Sequence, residues 1–169
     1  MPSKEAAAMY TRQEQQQAAK QTRQRLMVTI IPAAVVFVIA VVLFVIGRLN
    51  RSTEMWKVTA ALTLAAGVYA TFFAGVYVKP MRDYRNHINY MLDGRRRETT
   101  GYLIDFSENL SERNGVECHA IMINVGEKDE REDDRLYYYD AKKLPLPFEM
   151  GTKVTVTSND MMVAEIREA

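Results

Sequence analysis

The sequence predicts an α+β membrane protein: a two-helix transmembrane hairpin followed by a small five-stranded antiparallel β-barrel of the OB or SH3-like kind. Three observations carry that expectation. Two windows, Leu26 to Ile46 and Val58 to Val78, each run 21 residues without an Asp, Glu, Lys, Arg or His, and a helix of that length reaches roughly 31 Å, enough to cross a bilayer. From Thr99 the pattern changes to short runs rich in Val, Ile and Tyr, separated by turn residues. Charge is divided between the halves: residues 1–100 hold 14 basic and 6 acidic side chains, a balance of +8, and residues 101–169 hold 8 and 15, a balance of −7. The near-neutral total of +1 conceals this, and the single Cys excludes an intrachain disulfide framework or a Cys-rich zinc module.

Residues 1–25 read as a polar N-terminal helix. Positions 3–25 are rich in Ala, Gln and Arg without Gly or Pro, and Ser3 is the expected N-cap. This segment has no broad apolar stripe, and Met9 and Tyr10 are its only large apolar anchors. The first window is too long for a cleaved signal and is expected to be retained. Its Val and Ile content suits a bilayer, where every backbone group must be satisfied within the segment, and Pro32 is expected in its second turn.

Orientation follows from basic residues near the ends of the spans. Lys20, Arg23 and Arg25 precede the first, while Lys79, Arg82, Arg85 and Arg95 to Arg97 follow the second. The connecting loop holds Arg48, Arg51 and Lys57 opposed by Glu54, so both termini are expected on the cytoplasmic side of a two-pass cell-membrane protein. Trp56 and Tyr77 suit interfacial aromatic positions.

Within the second span Gly67, Thr71 and Gly75 recur every four residues beside Ala66, Ala70 and Ala74. Small residues at that spacing let another helix approach closely. The face is expected to receive the first span of the same chain, with a second copy as the competing occupant. Hydroxyls at Thr59, Thr63, Tyr69 and Thr71 suggest a pore lining, but Thr commonly bonds back to its own helix, and charge-free spans argue against a carrier or pump.

Residues 80–98 read as a basic amphipathic linker helix. Pro80 is expected to end or kink the second span, Met81, Tyr84, Ile88, Met91 and Leu92 share one face, and Gly94 is a natural stop. Arg82, Arg85, Arg95, Arg96 and Arg97 are the candidate membrane-surface residues, each contributing about 1 kcal/mol against anionic headgroups. The competing reading is a stalk whose stripe packs on the soluble domain. His87 reads as a surface residue.

In the acidic domain, 99–169, five strands are expected: Gly101 to Phe106, Val116 to Val125, Arg135 to Tyr139, Lys153 to Thr157 and Met161 to Arg167, with a hairpin at Ser158-Asn159-Asp160. Five short strands leave costly edges unless they close, hence the barrel. Leu144 to Phe148 is extended and, with two prolines, suits only an edge. A −7 domain disfavours nucleic acid, and Tyr137, Tyr138 and Tyr139 read as packing residues, since strand neighbours face opposite ways. The run Glu127 to Arg135 holds six carboxylates but no EF-hand spacing, and reads as a solvated loop. Cys118 and His119 point to opposite faces, one core and one surface.

No Gly-rich phosphate loop, Gly-x-Ser-x-Gly elbow, His-Glu-x-x-His helix or paired Cys is present. The sequence therefore predicts no catalytic, cofactor or metal residue. The expected function is a non-enzymatic membrane-anchored interaction or sensor module whose partners are the bilayer, with anionic headgroups, and a protein of unknown identity. The alternative is an oligomeric pore-forming or membrane-disrupting effector associating through the second span. A lipid-headgroup enzyme using Asp105 or Glu117 is the weakest reading.

Overall fold

The computed structural model describes residues 7–52, 54–126 and 131–169. They fall into two compact units, residues 18–82 and residues 83–169 with the N-terminal segment up to Gln17.

The first unit holds two helices long and apolar enough to cross a membrane. Ser3, the expected N-cap, lies outside the described residues, and residues 7–11 do not form the helix that composition predicts: helix α1 runs Arg12–Leu49. Its start is a capping box: the Thr11 hydroxyl accepts from the Glu14 amide at 3.2 Å and the Glu14 carboxylate accepts from the Thr11 amide at 3.0 Å. Pro32 is consequently interior to the helix, not in its second turn. A proline there has no N–H for the carbonyl four residues back, Val28. The Tyr69 hydroxyl of the neighbouring helix donates to that carbonyl at 3.4 Å. Tyr69→Phe should therefore lower thermal stability in detergent by about 0.6 kcal/mol, the mean for such interhelical bonds; a melting temperature equal to wild type would show that Val28 finds another donor.

Helix α1 ends in a Schellman motif, with Ser52 N donating to Gly47 O at 3.0 Å, Arg51 N to Arg48 O at 3.4 Å, and Arg51 at φ 49°. Helix α2, Met55–Phe73, returns. A Cβ on Gly47 would lie 2.5 Å from Met55 Cβ, so only glycine admits this close turn. Many apolar side chains of the two helices, among them Phe37, Val38, Leu64 and Phe72, are more than half exposed, as expected for surfaces that face lipid and not a protein core. Pro80 does not end the second helix. A π turn, Ala74–Val78, precedes it and α3, Lys79–Asp93, continues. Arg25 donates to the Tyr77 carbonyl at 3.2 Å and lies over its ring.

The second unit is a five-stranded mixed sheet joined by one short strand, β1, Ala7–Ala8. The five are β2 Arg97–Arg113, β3 Val116–Asn124, β4 Asp134–Asp140, β5 Lys153–Asn159 and β6 Met162–Glu168. Strand β2 extends well past Phe106 because Asn114-Gly115, at φ 54° and 76°, closes a two-residue hairpin onto β3. Register irregularities between Leu103 and Asp105 and between Phe106 and Leu110 break the alternation that would have revealed its length. Spatial order is β5-β2-β3-β4, the Greek-key arrangement, with β6 paired antiparallel to β5 and parallel to β4 through Tyr138 and Met162. The sheet is therefore not all antiparallel. Strand β1 pairs with β6 where the composition predicts a helix.

Leu103, Ile121, Ile123, Val154, Val156 and Val163 form the core, and from α3 Ile88 and Met91 join it at 0% and 1% exposure. The apolar stripe of α3 beyond Asp83 thus packs on the β-domain, as the stalk reading requires. The Leu144–Pro145 peptide is cis, and residues 144–148 pair with no strand among the described residues.

Candidate functional site

Two polar features stand out in the β-domain, a cavity and a buried hydrogen-bond network. The cavity is built where α3 hands over to β2. Gly94 N and Asn159 Nδ2 both donate to Tyr90 O, at 2.9 and 2.8 Å. A Cβ on Gly94 would stand 1.9 Å from Asn159 Nδ2, so the glycine lets the β5–β6 end grip the helix terminus. Strand β2 then starts with Arg97 opposite Ser158. On β2, Arg97 and Thr99 share a side by the two-residue repeat, as do Arg135 and Tyr137 on β4. The Tyr137 hydroxyl donates to Thr99 Oγ1 at 2.9 Å, drawing these sides together. The turn Asp160-Met161 closes the wall, both residues in the left-handed region at φ 47° and 66°. Tyr138 N holds Met161 O at 2.8 Å. The space, open to solvent on one side, is about 620 Å³ and is lined by Tyr90, Arg95, Arg97, Arg135, Tyr137 and the turn.

The five arginines expected at a membrane surface part company here. Arg82 is exposed in the first unit. Arg85 is half-buried, donates to Asn86 Oδ1 at 3.4 Å, and has an Nε without a hydrogen-bond partner among the described residues. Arg96 donates to Leu92 O at 3.1 Å and Met91 O at 3.4 Å, satisfying carbonyls at the end of α3. Arg95 and Arg97 line the cavity with Arg135. From the sequence Arg135 reads as the end of the acidic run and the start of the expected strand Arg135 to Tyr139, not as a site residue, although its alternation with Tyr137 is a usable signal. Positions 127–130 of that run lie outside the described residues.

No protein-family model, curated protein or solved structure matches this chain. The chemistry of its own residues carries the reading.

The buried network centres on Asp140, which is 0% exposed. Its Oδ2 accepts from the Tyr10 hydroxyl at 3.1 Å and its Oδ1 from Lys142 N at 2.9 Å. Tyr10 and His87 Nε2 are 2.9 Å apart. Since the single Tyr10 proton goes to Asp140, His87 Nε2 carries the proton given to Tyr10. Lys143 pairs with Glu14, and the Lys142 ammonium lies 3.6 Å from the Tyr84 ring centroid. Burial, with the Asp140 carboxylate adding, pushes the Tyr10 hydroxyl far above its usual value, so it remains a donor. Tyr84 is pushed up to about 12 for the same reasons. Tyr10 is therefore a core anchor at 4% exposure, and His87 is buried, contrary to its surface reading.

Burial holds the His87 imidazole below its ordinary value, opposed by Asp140 and assisted by Lys142. The unfolded chain takes up a proton near pH 6.5 while the folded one resists, so stability present above that pH is lost as pH falls below it. The melting temperature of the full chain in detergent should drop between pH 7 and pH 5, a range on the order of the unperturbed imidazole value. His87→Gln should flatten that slope; an unchanged slope in the variant would refute the assignment.

The small-residue face of α2 divides. Ala66 is buried and Ala70 half-buried, whereas Thr71 and Ala74 are exposed and a Cβ on Gly67 or Gly75 would meet no atom within 4 Å. Of the hydroxyls considered for a pore, Thr59 bonds back to Met55 O at 3.1 Å and Trp56 O at 2.9 Å, and Tyr69 serves Val28. Tyr137, Tyr138 and Tyr139 are all buried. Cys118 and His119 are both buried too, the latter stacked on Phe106 with Nδ1 3.0 Å from Ser107 O, so neither is a surface residue.

Proposed function

We propose that the chain is a non-enzymatic membrane-anchored interaction or sensor module that presents a small β-barrel at the cytoplasmic face of the cell membrane. Two helices long and apolar enough to cross a membrane, each with a charge-free window of 21 residues, support the anchor. Closure of the five strands into an OB-type Greek-key barrel is supported by β6 pairing with both β4 and β5. The observation that carries the sensing role is the polar cavity walled by Arg95, Arg97 and Arg135 in a domain that is otherwise acidic. The basic flanks of the spans support cytoplasmic termini. Crosslinking in native membranes, with reporters fused at each terminus, tests both parts. A reporter signal from outside the cytoplasm at either end would overturn the orientation, and the absence of any crosslinked partner or bound ligand would overturn the module reading.

A second reading, self-association through α2, is favoured by the open space at Gly67 and Gly75. Gly67→Leu with Gly75→Leu should then shift crosslinked species toward monomer while the β-domain remains folded. An unchanged size distribution would remove self-association and with it an oligomeric pore.

A further inference from the structure

We propose that the cavity between the α3–β2 junction and the β5–β6 turn is a binding site for a phosphate group. Three arginines, Arg95, Arg97 and Arg135, line one open space of about 620 Å³. No carboxylate among the described residues pairs with any of them, although Asp160 lies in the same wall. Gathering three like charges without a counter-ion opposes folding through mutual repulsion, although residues 101–169, with a net charge of −7, offer carboxylates elsewhere. A bound anion relieves that repulsion. Guanidinium forks match the oxygens of a phosphate in paired hydrogen bonds, which a spherical anion does not reward. Neutral donors are at hand: Thr99 Oγ1 accepts from Tyr137 and keeps its own proton to give, and Ser158, opposite Arg97, is also in the lining.

The wall is built and held. Asp160 and Met161 occupy a left-handed conformation that favours glycine, and Met161, a large side chain, stays there because Tyr138 N fixes its carbonyl while Asn159 grips Tyr90 O. Backbone kept in sparsely populated regions by its surroundings concentrates at ligand sites. The volume lies in the range of small-ligand pockets and exceeds what inorganic phosphate alone needs. There is room beside the phosphate for the rest of a phosphate ester, from either an anionic lipid headgroup or a soluble metabolite. This inference rests on the sensor reading and supplies its ligand class.

The test uses the full chain in nanodiscs of phosphatidylcholine alone and of phosphatidylcholine with phosphatidylglycerol, titrated calorimetrically with inorganic phosphate and with glycerol 3-phosphate. Wild type in phosphatidylcholine should bind both probes, more weakly as salt rises. Arg97→Gln with Arg135→Gln, both exposed positions, should weaken binding about tenfold or more with a melting temperature equal to or above that of wild type, whereas Lys153→Gln, outside the lining, should change affinity less than about twofold. Loss of probe binding in the phosphatidylglycerol discs assigns the site to lipid headgroups, and equal binding in both discs assigns it to soluble esters. No heat for either probe in phosphatidylcholine, or equal affinity in the double variant, overturns the proposal. A crosslinked protein partner found alongside that negative result would leave the module reading standing, so the two failures are distinguishable.

Discussion

Tyr10→Ala should destabilise the β-domain by about 3–5 kcal/mol, the range for removing a buried aromatic ring. The ring is 4% exposed and packs edge-on to His87 at 5.4 Å between centroids. Its hydroxyl donates to the buried Asp140 carboxylate, which Lys142 N also serves. Deleting the side chain leaves a cavity and strips a charged group of a hydrogen bond, two penalties at one position. Tyr10→Phe keeps the ring and isolates the second penalty, expected at about 1–3 kcal/mol. Denaturant unfolding of the full chain in detergent, followed by near-ultraviolet circular dichroism, measures both. A loss below about 1 kcal/mol for Tyr10→Ala would mean that the segment containing β1 and Tyr10 is not part of the cooperative unit.

Gly101→Ala should be equally severe despite adding one carbon. The new Cβ would stand 2.2 Å from Asn124 O and 2.8 Å from Ile123 Cγ2. The first of these atoms is backbone in the paired strand β3, so relief requires breaking the β2–β3 ladder near Tyr102 and Asn124. A loss at or above the roughly 3 kcal/mol upper end for overpacked cores is expected. The readout is rapid proteolysis of the β-domain with the α1–α2 segment still protected in membranes. Gly67→Ala, which adds the same carbon into open space, should remain within about 0.5 kcal/mol of wild type. Equal melting of the Gly101 and Gly67 variants would refute the close approach.

What the chain determined by itself was local and periodic. Two charge-free windows of 21 residues specify helices of spanning length because their length and composition are properties of contiguous residues. Alternating β-branched residues around Val154 and Val156, and the aromatic run Tyr137 to Tyr139, announce strands. The Thr11 to Glu14 capping box and the Asn114-Gly115 turn are legible by the same local logic, though a purely compositional reading passes over them. Tertiary structure alone decided the rest. Tyr10 meets an acid 130 positions away, and no local pattern marks that pairing. Arg97 and Arg135 share a cavity because the Greek-key order and the β4–β6 bridge bring Thr99, Tyr137 and the Asp160-Met161 turn together. Whether Pro32 is initial or interior depended on where α1 was capped, and whether the α3 stripe met lipid or protein depended on what lay opposite Ile88 and Met91. Sequence periodicity says which face of an element is apolar; only the long-range pairing of strands says what that face is pressed against.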